Sequence, residues 1–215
     1  MTPNDPISLA SWRRTVMETY AAIRQMAPTD PERAWLVFRA ARDTLFKTHP
    51  QSPLTEAERD QFHGLDYYPY DRQWRLQGTL DRHCEPDTFV VDLPSDGRLE
   101  YTRVAQVKFV IGGQSACLGL FWIEGYGGGL FLPFTDSTCS VETYGGGRYL
   151  FDTIKGADLG VSQHEIVLDF NYAYNPSCAY DSRWACPLAP TENRLPFAVR
   201  AGEKQFGLTS QVTPA

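Results

Sequence analysis

Three stretches in the second half of this sequence concentrate the side chains able to do chemistry. The first is Gly145-Gly146-Gly147-Arg148, preceded by Tyr144. Successive glycines let a backbone approach a ligand closely, and their N–H groups can form an anion nest. Arg148 can pair in a fork with a carboxylate or phosphate. A phosphate-gripping loop would end in Gly-Lys-Ser/Thr and open a helix. Here Arg148-Tyr149-Leu150-Phe151 reads as a strand instead. The same residues also suit a strand-entering turn whose arginine pairs with a neighbouring carboxylate. The second stretch runs from Leu168 through Asp169, Asn171, Tyr172, Tyr174 and Asn175 to Cys178 and Tyr180. Val167, Asp169 and Asn171 alternate with Leu168 and Phe170, which places polar groups on one strand face, either solvent or lumen in a barrel. Buried amides and phenols must find partners, so this cluster either latches a long loop or reads a ligand.

The third stretch, residues 178–193, carries Cys178 and Cys186 eight positions apart, wider than the spacing of zinc knuckles. His164 and Asp169 would complete a four-ligand set only if the fold gathered them, and no metal is expected. A cysteine nucleophile needs a base and a lowered pKa, neither visible in sequence. His49, His63, His83 and His164 form no His-Glu-x-x-His helix, and no Gly-x-Ser-x-Gly elbow occurs. Carboxylate pairs such as Asp66/Asp71 and Asp152/Asp158 have ordinary surface spacing.

The elements that must position these side chains change character along the chain. In residues 8–27, Leu9, Trp12, Val16, Tyr20, Ile23 and Met26 recur at steps of three and four, giving a helix with one apolar face and Ser8 as its cap. Pro28 ends it. Thr29 and Glu32 have capping-box spacing around Pro31 and open a second helix, with Trp35, Phe38, Leu45 and Phe46 on its apolar face. Thr55 and Glu58 predict a short third helix ending near Gly64. From Trp74 the period becomes two. Strands are expected at residues 74–80, 88–93, 101–111, 116–124, 130–134, 148–151, 165–170 and 196–201. Turn signals separate them at Pro94-Ser95-Asp96-Gly97, Gly112-Gly113, residues 125–129 and residues 145–147. Many short strands without intervening helices favour a mainly β, α+β architecture: an antiparallel β-sandwich or partly closed β-barrel covered by two or three N-terminal helices. The organisation reads as a helical segment at 1–66, an antiparallel β domain at 67–204 and a frayed tail at 205–215.

The segments 134–138 and 142–150, then 168–180, then 186–195 and 200–204, resemble the motifs of domain-of-unknown-function family 1684, a group of bacterial and archaeal proteins. Ser52-Pro53-Leu54 and Phe62-His63-Gly64-Leu65 are similar to its earlier pattern. Tyr172 and Cys139 stand where that pattern carries a basic and a small polar residue. The resemblance implies one domain whose motifs concentrate at 134–204. It implies no activity, substrate or cofactor.

Composition narrows the classes. The chain has 215 residues, 42% of them hydrophobic and 13% aromatic, enough for one well-buried core. Net charge is −6, residues 1–82 balance eleven basic against eleven acidic side chains, and no basic run offers a phosphate-binding patch. Nucleic acid is therefore not an expected partner. No run of about 18 apolar residues predicts a membrane helix, and Met1-Thr2-Pro3-Asn4-Asp5 does not read as a secretory signal. Five cysteines, an odd count, point to reduced thiols in cytoplasm. The expected role is binding of a small molecule in a barrel pocket, with Arg148 suited to an anionic one. Tyr144, Gly146, Gly147, Arg148, Asp169, Asn171, Asn175, Cys178 and Tyr180 form the candidate ligand-binding set. The alternatives are an enzyme using the same pocket, with Asp169 as base or Cys178 as nucleophile, or motifs that only brace the fold. A flavin-binding split barrel is a further architecture the strands permit, but no cofactor is specified.

Overall fold

The computed structural model describes residues 5–93 and 97–207. Three helices come first. Helix α1, Pro6–Met26, is capped by Asp5, which accepts from the Ile7 and Ser8 N–H groups. The cap thus lies three residues before the expected Ser8, whose hydroxyl instead donates to the Asp5 carbonyl at 3.0 Å. A carboxylate there also suits the positive end of the helix dipole. Helix α2, Pro31–Thr48, is capped by Asp30 rather than Thr29, with Pro31 in the first turn. Helix α3, Glu56–Asp60, has the expected reciprocal box between Thr55 and Glu58.

Seven strands follow: β1 Arg75–Asp81, β2 Thr88–Leu93, β3 Gly97–Ile111, β4 Gln114–Ile123, β5 Gly129–Phe134, β6 Arg148–Asp152 and β7 Glu165–Asp169. They form one antiparallel sheet in the order β6-β5-β4-β3-β1-β7. The long β3 pairs with β2 through its first half and with β1 through its second, so these two share one of its edges. A bulge between Arg103 and Ala105 bends the β3–β4 pair. The curled sheet makes a half-barrel with the N-terminal helices over it, a mainly β, α+β fold. Gly112 and Gly113 take φ of 55° and 79° in the two-residue turn from β3 to β4, a conformation L side chains rarely adopt.

Two expected strand segments differ. The stretch expected as strand to residue 170 stops at Asp169, which caps a 3₁₀ turn at Phe170–Tyr172 by accepting from the Asn171 N–H. Residues 196–201 form no strand. Side chains fix them instead: Asp136 accepts from Val199 N–H, and Arg148 donates to the Val199 and Ala201 carbonyls. The turn expected at Pro94-Ser95-Asp96-Gly97 lies, apart from Gly97, outside the described residues, as does residue 208 onward of the expected tail.

The core packs around the sheet with Phe109, Phe121, Phe131, Phe134, Phe151 and Phe170, all buried. Helix α2 closes over it through Phe38, whose ring lies 4.9 Å from that of Tyr172, and Trp35, whose indole donates to the Asn171 carbonyl.

Candidate functional site

Where α1 and α2 meet the segment after β7, the packing leaves a cavity of about 480 Å³. Helix α1 contributes Leu9, Trp12, Arg13, Val16 and Tyr20, spaced so that they fall on one helical face. Helix α2 contributes Phe38, Ala41, Arg42, Leu45 and Phe46 by the same spacing. Tyr149 of β6 and Tyr174 form the base, and Asn175, Tyr180, Trp184 and Cys186 the remaining wall. The lining is therefore aromatic and aliphatic with a few polar groups, the usual make-up of a small-molecule pocket.

Four of those polar atoms are buried and have no partner within the protein: Arg13 Nε, the Tyr20 hydroxyl, Asn175 Oδ1 and Trp184 Nε1. Native interiors leave few such atoms, because each costs about 1–3 kcal/mol of lost hydration. Tyr20 is 2% exposed and Asn175 3%. Burial pushes the Tyr20 phenol far above its ordinary pKa, so it remains a proton donor. Arg13 has no carboxylate partner among the described residues, and Asp5, at the rim, is engaged by the N–H groups of α1.

Other polar groups of the lining are matched within the protein. Arg42 donates to the Tyr67 hydroxyl at 2.8 Å, to Glu203 at 2.8 Å and to the Tyr180 hydroxyl at 3.3 Å. Its guanidinium also lies over the Phe46 and Tyr174 rings at 5.1 and 5.0 Å. Glu203 accepts further from Tyr180 and from the Asn175 N–H. Burial pushes the Glu203 carboxyl up despite these donors.

The residues expected from sequence separate into three places. Asn175 and Tyr180 line the cavity. Tyr144 and Cys178 sit together beyond its wall, the phenol donating to the sulfur at 3.5 Å. Arg148, Asp169, Asn171, Gly146 and Gly147 line neither this cavity nor the shallow recess beside Cys178. Arg148 is fully buried and donates to Asp136 at 2.8 Å and to the Val199, Ala201 and Glu203 carbonyls, so its guanidinium ties the C-terminal segment to β6. Asp169 accepts from Arg75 at 3.0 Å and from the Asn171 amide, and burial raises its pKa. Asn171 exchanges two bonds with the Asp71 backbone. Gly147, at φ 88°, donates its N–H to the Tyr144 carbonyl and has the Phe134 carbonyl where a Cβ would sit, 2.5 Å away. Its N–H is thus committed to the turn and does not form a nest. Apart from Arg148 Nε and the Tyr172 hydroxyl, which are buried without partners, the donors and acceptors of these clusters match one another and brace the fold.

The model of the family described as "Protein of unknown function (DUF1684)" matches residues 60–204. The chain belongs to the DUF1684 family. An uncharacterized protein of Haloarcula marismortui, solved by NMR, is 37% identical, covers 81% of this chain and 94% of its own length, and has a TM-score of 0.62. Among curated proteins none matches. The DUF1684 match begins after α1 and α2, so these helices, which supply one side of the cavity, lie outside the matched span.

In this DUF1684 protein the sequence pattern missed Arg13, Tyr20, Arg42, Trp184 and Glu203 as site residues. A signal existed for Arg42. It falls four residues after Phe38 and four before Phe46, in the middle of an apolar stripe, where a charge demands buried partners. Glu203 shares a short C-terminal motif with Gly202 and Lys204, but sequence alone gave it no partner. No helix of the described residues is long and apolar enough to cross a membrane. Among the described residues no three His, Cys, Asp or Glu side chains gather as a metal site would require.

Proposed function

We propose that this protein binds a small amphipathic carboxylate in the cavity between α1, α2 and residues 174–186. The observation that carries the reading is one largely apolar hollow whose lining includes four residues that each hold a buried polar atom unmatched within the protein. Arg13 Nε, the Tyr20 hydroxyl and Trp184 Nε1 are donors, and they suit an acceptor head group. Asn175 Oδ1 suits a single donor on the same ligand. Arg42 and Lys155 also line the cavity, but each is already paired, with Glu203 and Asp152 respectively. Arg13 therefore supplies the uncompensated positive charge, which favours a monoanion over a phosphate. Trp12, Val16, Leu45 and Phe46 would cover the apolar body.

A thermal-shift panel tests this. Octanoate, decanoate and 3-phenylpropionate are each compared with the alcohol of the same skeleton. The acids are expected to raise the unfolding midpoint with saturable concentration dependence, and the alcohols to raise it less, because ligand binding to the native state stabilises it. Equal responses to acid and alcohol would remove the carboxylate from the reading. No response to any member, with the midpoint constant throughout, would remove the cavity as a ligand site.

A further inference from the structure

Cys178 and Cys186 are close neighbours that line one shallow recess, and the Tyr144 hydroxyl donates to the Cys178 sulfur at 3.5 Å. Cys178 belongs to the 3₁₀ turn Ser177–Ala179, and Cys186 closes the loop that follows. Both ends of this loop are held: Tyr180 by Glu203, and the Pro187 carbonyl by the Tyr149 hydroxyl. A loop held at both ends thus keeps the two cysteines at the same recess. Both cysteines are partly exposed, and both border a shallow recess shared with Phe89, Tyr101, Leu188 and Pro190. Cys186 also lines the main cavity, so the pair stands in the wall between the two hollows.

We propose that Cys178 and Cys186 are a redox-active dithiol that exchanges with low-molecular-weight disulfides entering from the shallow recess, and that its oxidised form is a Cys178–Cys186 bridge. Cys178 is the attacking sulfur. The neighbouring Cys186 thiol is the main influence lowering its pKa, ahead of donation from Tyr144 and the nearby Lys155 charge, and it outweighs burial. Cys186 is the resolving thiol, its own pKa held up by the neighbouring Cys178 and by burial. Burial and the adjacent sulfur hold the Tyr144 phenol protonated, so it remains a donor.

The chemistry balances in two displacements. The Cys178 thiolate attacks one sulfur of the disulfide RSSR, breaking its S–S bond, forming Cys178–S–S–R and releasing one RS⁻, which takes up a proton from water. The Cys186 thiol loses its proton to solvent and attacks the Cys178 sulfur. The bridge forms, and the second RS⁻ leaves and is protonated in turn. The protein loses two hydrogens and two electrons, and RSSR becomes two RSH.

The test uses the full chain with excess oxidised glutathione, followed by intact-mass measurement and peptide mapping. The wild type is expected to lose two hydrogens, to retain no glutathione and to yield a linked Cys178–Cys186 peptide that dithiothreitol reverses. Cys186→Ser should instead retain one glutathione on Cys178, formed faster than on Cys84, Cys117 or Cys139. The proposal is overturned if Cys178 reacts no faster than those three thiols. It is equally overturned if the folded wild type accumulates a glutathione adduct without the bridge. Neither outcome bears on whether a carboxylate occupies the main cavity, because the thiol readout needs no ligand there.

Discussion

Tyr20→Phe separates a ligand-binding hydroxyl from a structural one by the sign of its effect. The side chain is 2% exposed and its oxygen has no partner within the protein. The ring carries the packing, lying 5.8 Å from that of Phe38 in an edge-on contact, and Phe keeps that ring. A buried hydroxyl serving the fold would cost about 1 kcal/mol or more on removal. An unmatched one costs nothing to remove, and deleting it can return up to about 1 kcal/mol of lost hydration. For a chain of this size that is a rise in the unfolding midpoint of at most about 2–4 °C. In the occupied cavity the hydroxyl would donate to a carboxylate, a charge-assisted bond of about 1.5–3 kcal/mol, so affinity should fall about ten- to hundredfold. Calorimetric unfolding of the ligand-free variant and titration with decanoate give the two numbers. A ligand-free midpoint several degrees below wild type would refute the reasoning, and so would undiminished affinity.

The same logic predicts the opposite pattern elsewhere. Arg148→Met strands the buried Asp136 carboxylate and three carbonyls, which should cost about 3–5 kcal/mol, or about 6–20 °C in midpoint, while the response to decanoate persists. A stable variant that no longer responds would restore Arg148 as the anchor. Asn193→Ala removes three buried bonds, accepted from Gly119 N–H and donated to the Gly119 and Pro133 carbonyls. Urea unfolding should show a loss of about 3 kcal/mol. Asp169 has its pKa raised chiefly by burial, so the folded state keeps a proton that the unfolded chain has released. Its contribution is complete below the ordinary carboxylate value of about 4 and is lost as pH rises through the folded value. The stability of wild type relative to Asp169→Asn, measured by urea unfolding, should therefore decline from about pH 4 toward neutrality. A relative gain over that range would contradict the assignment.

The elements were legible where one local rule dominated. The period-two runs from residue 75 to 134 became β1 to β5, and the box between Thr55 and Glu58 formed as spaced. Caps were misplaced where two suitable oxygens lay close together. Asp5 and Asp30 displaced Ser8 and Thr29 because each stands directly before a proline that begins the helix. Residues 196–201 carried strand-like alternation but sit where Arg148 and Asp136 meet their backbone groups, so side chains replaced a ladder. That substitution depends on contacts about 50 residues apart in sequence, which no local period encodes.

The candidate site was harder to read for a related reason. Polar density marks a place where hydrogen bonds must be satisfied, whichever molecule satisfies them. At Asp169, Asn171 and the two terminal nitrogens of Arg148 the protein supplies the partners itself and the groups become struts, although Arg148 Nε is buried without a partner. At Tyr20, Asn175, Trp184 and Arg13 it does not, and these four come from separate parts of the chain, two on α1 and two after β7. Each looks unremarkable alone: an aromatic in a helical stripe, an amide before a proline, an indole in a loop, an arginine beside a tryptophan. What distinguishes them is that all four residues line one hollow and each carries a buried polar atom without a partner within the protein. Arg42 makes the contrast within one cavity. It is as buried in aromatic surroundings as any binding arginine, yet Glu203 and two phenols already hold it. A ligand drawn to this cavity by charge must therefore answer to Arg13. Arg13→Met should weaken carboxylates toward the level of the matching alcohols, whereas a loss shared equally by acid and alcohol would place Arg13 in the packing instead.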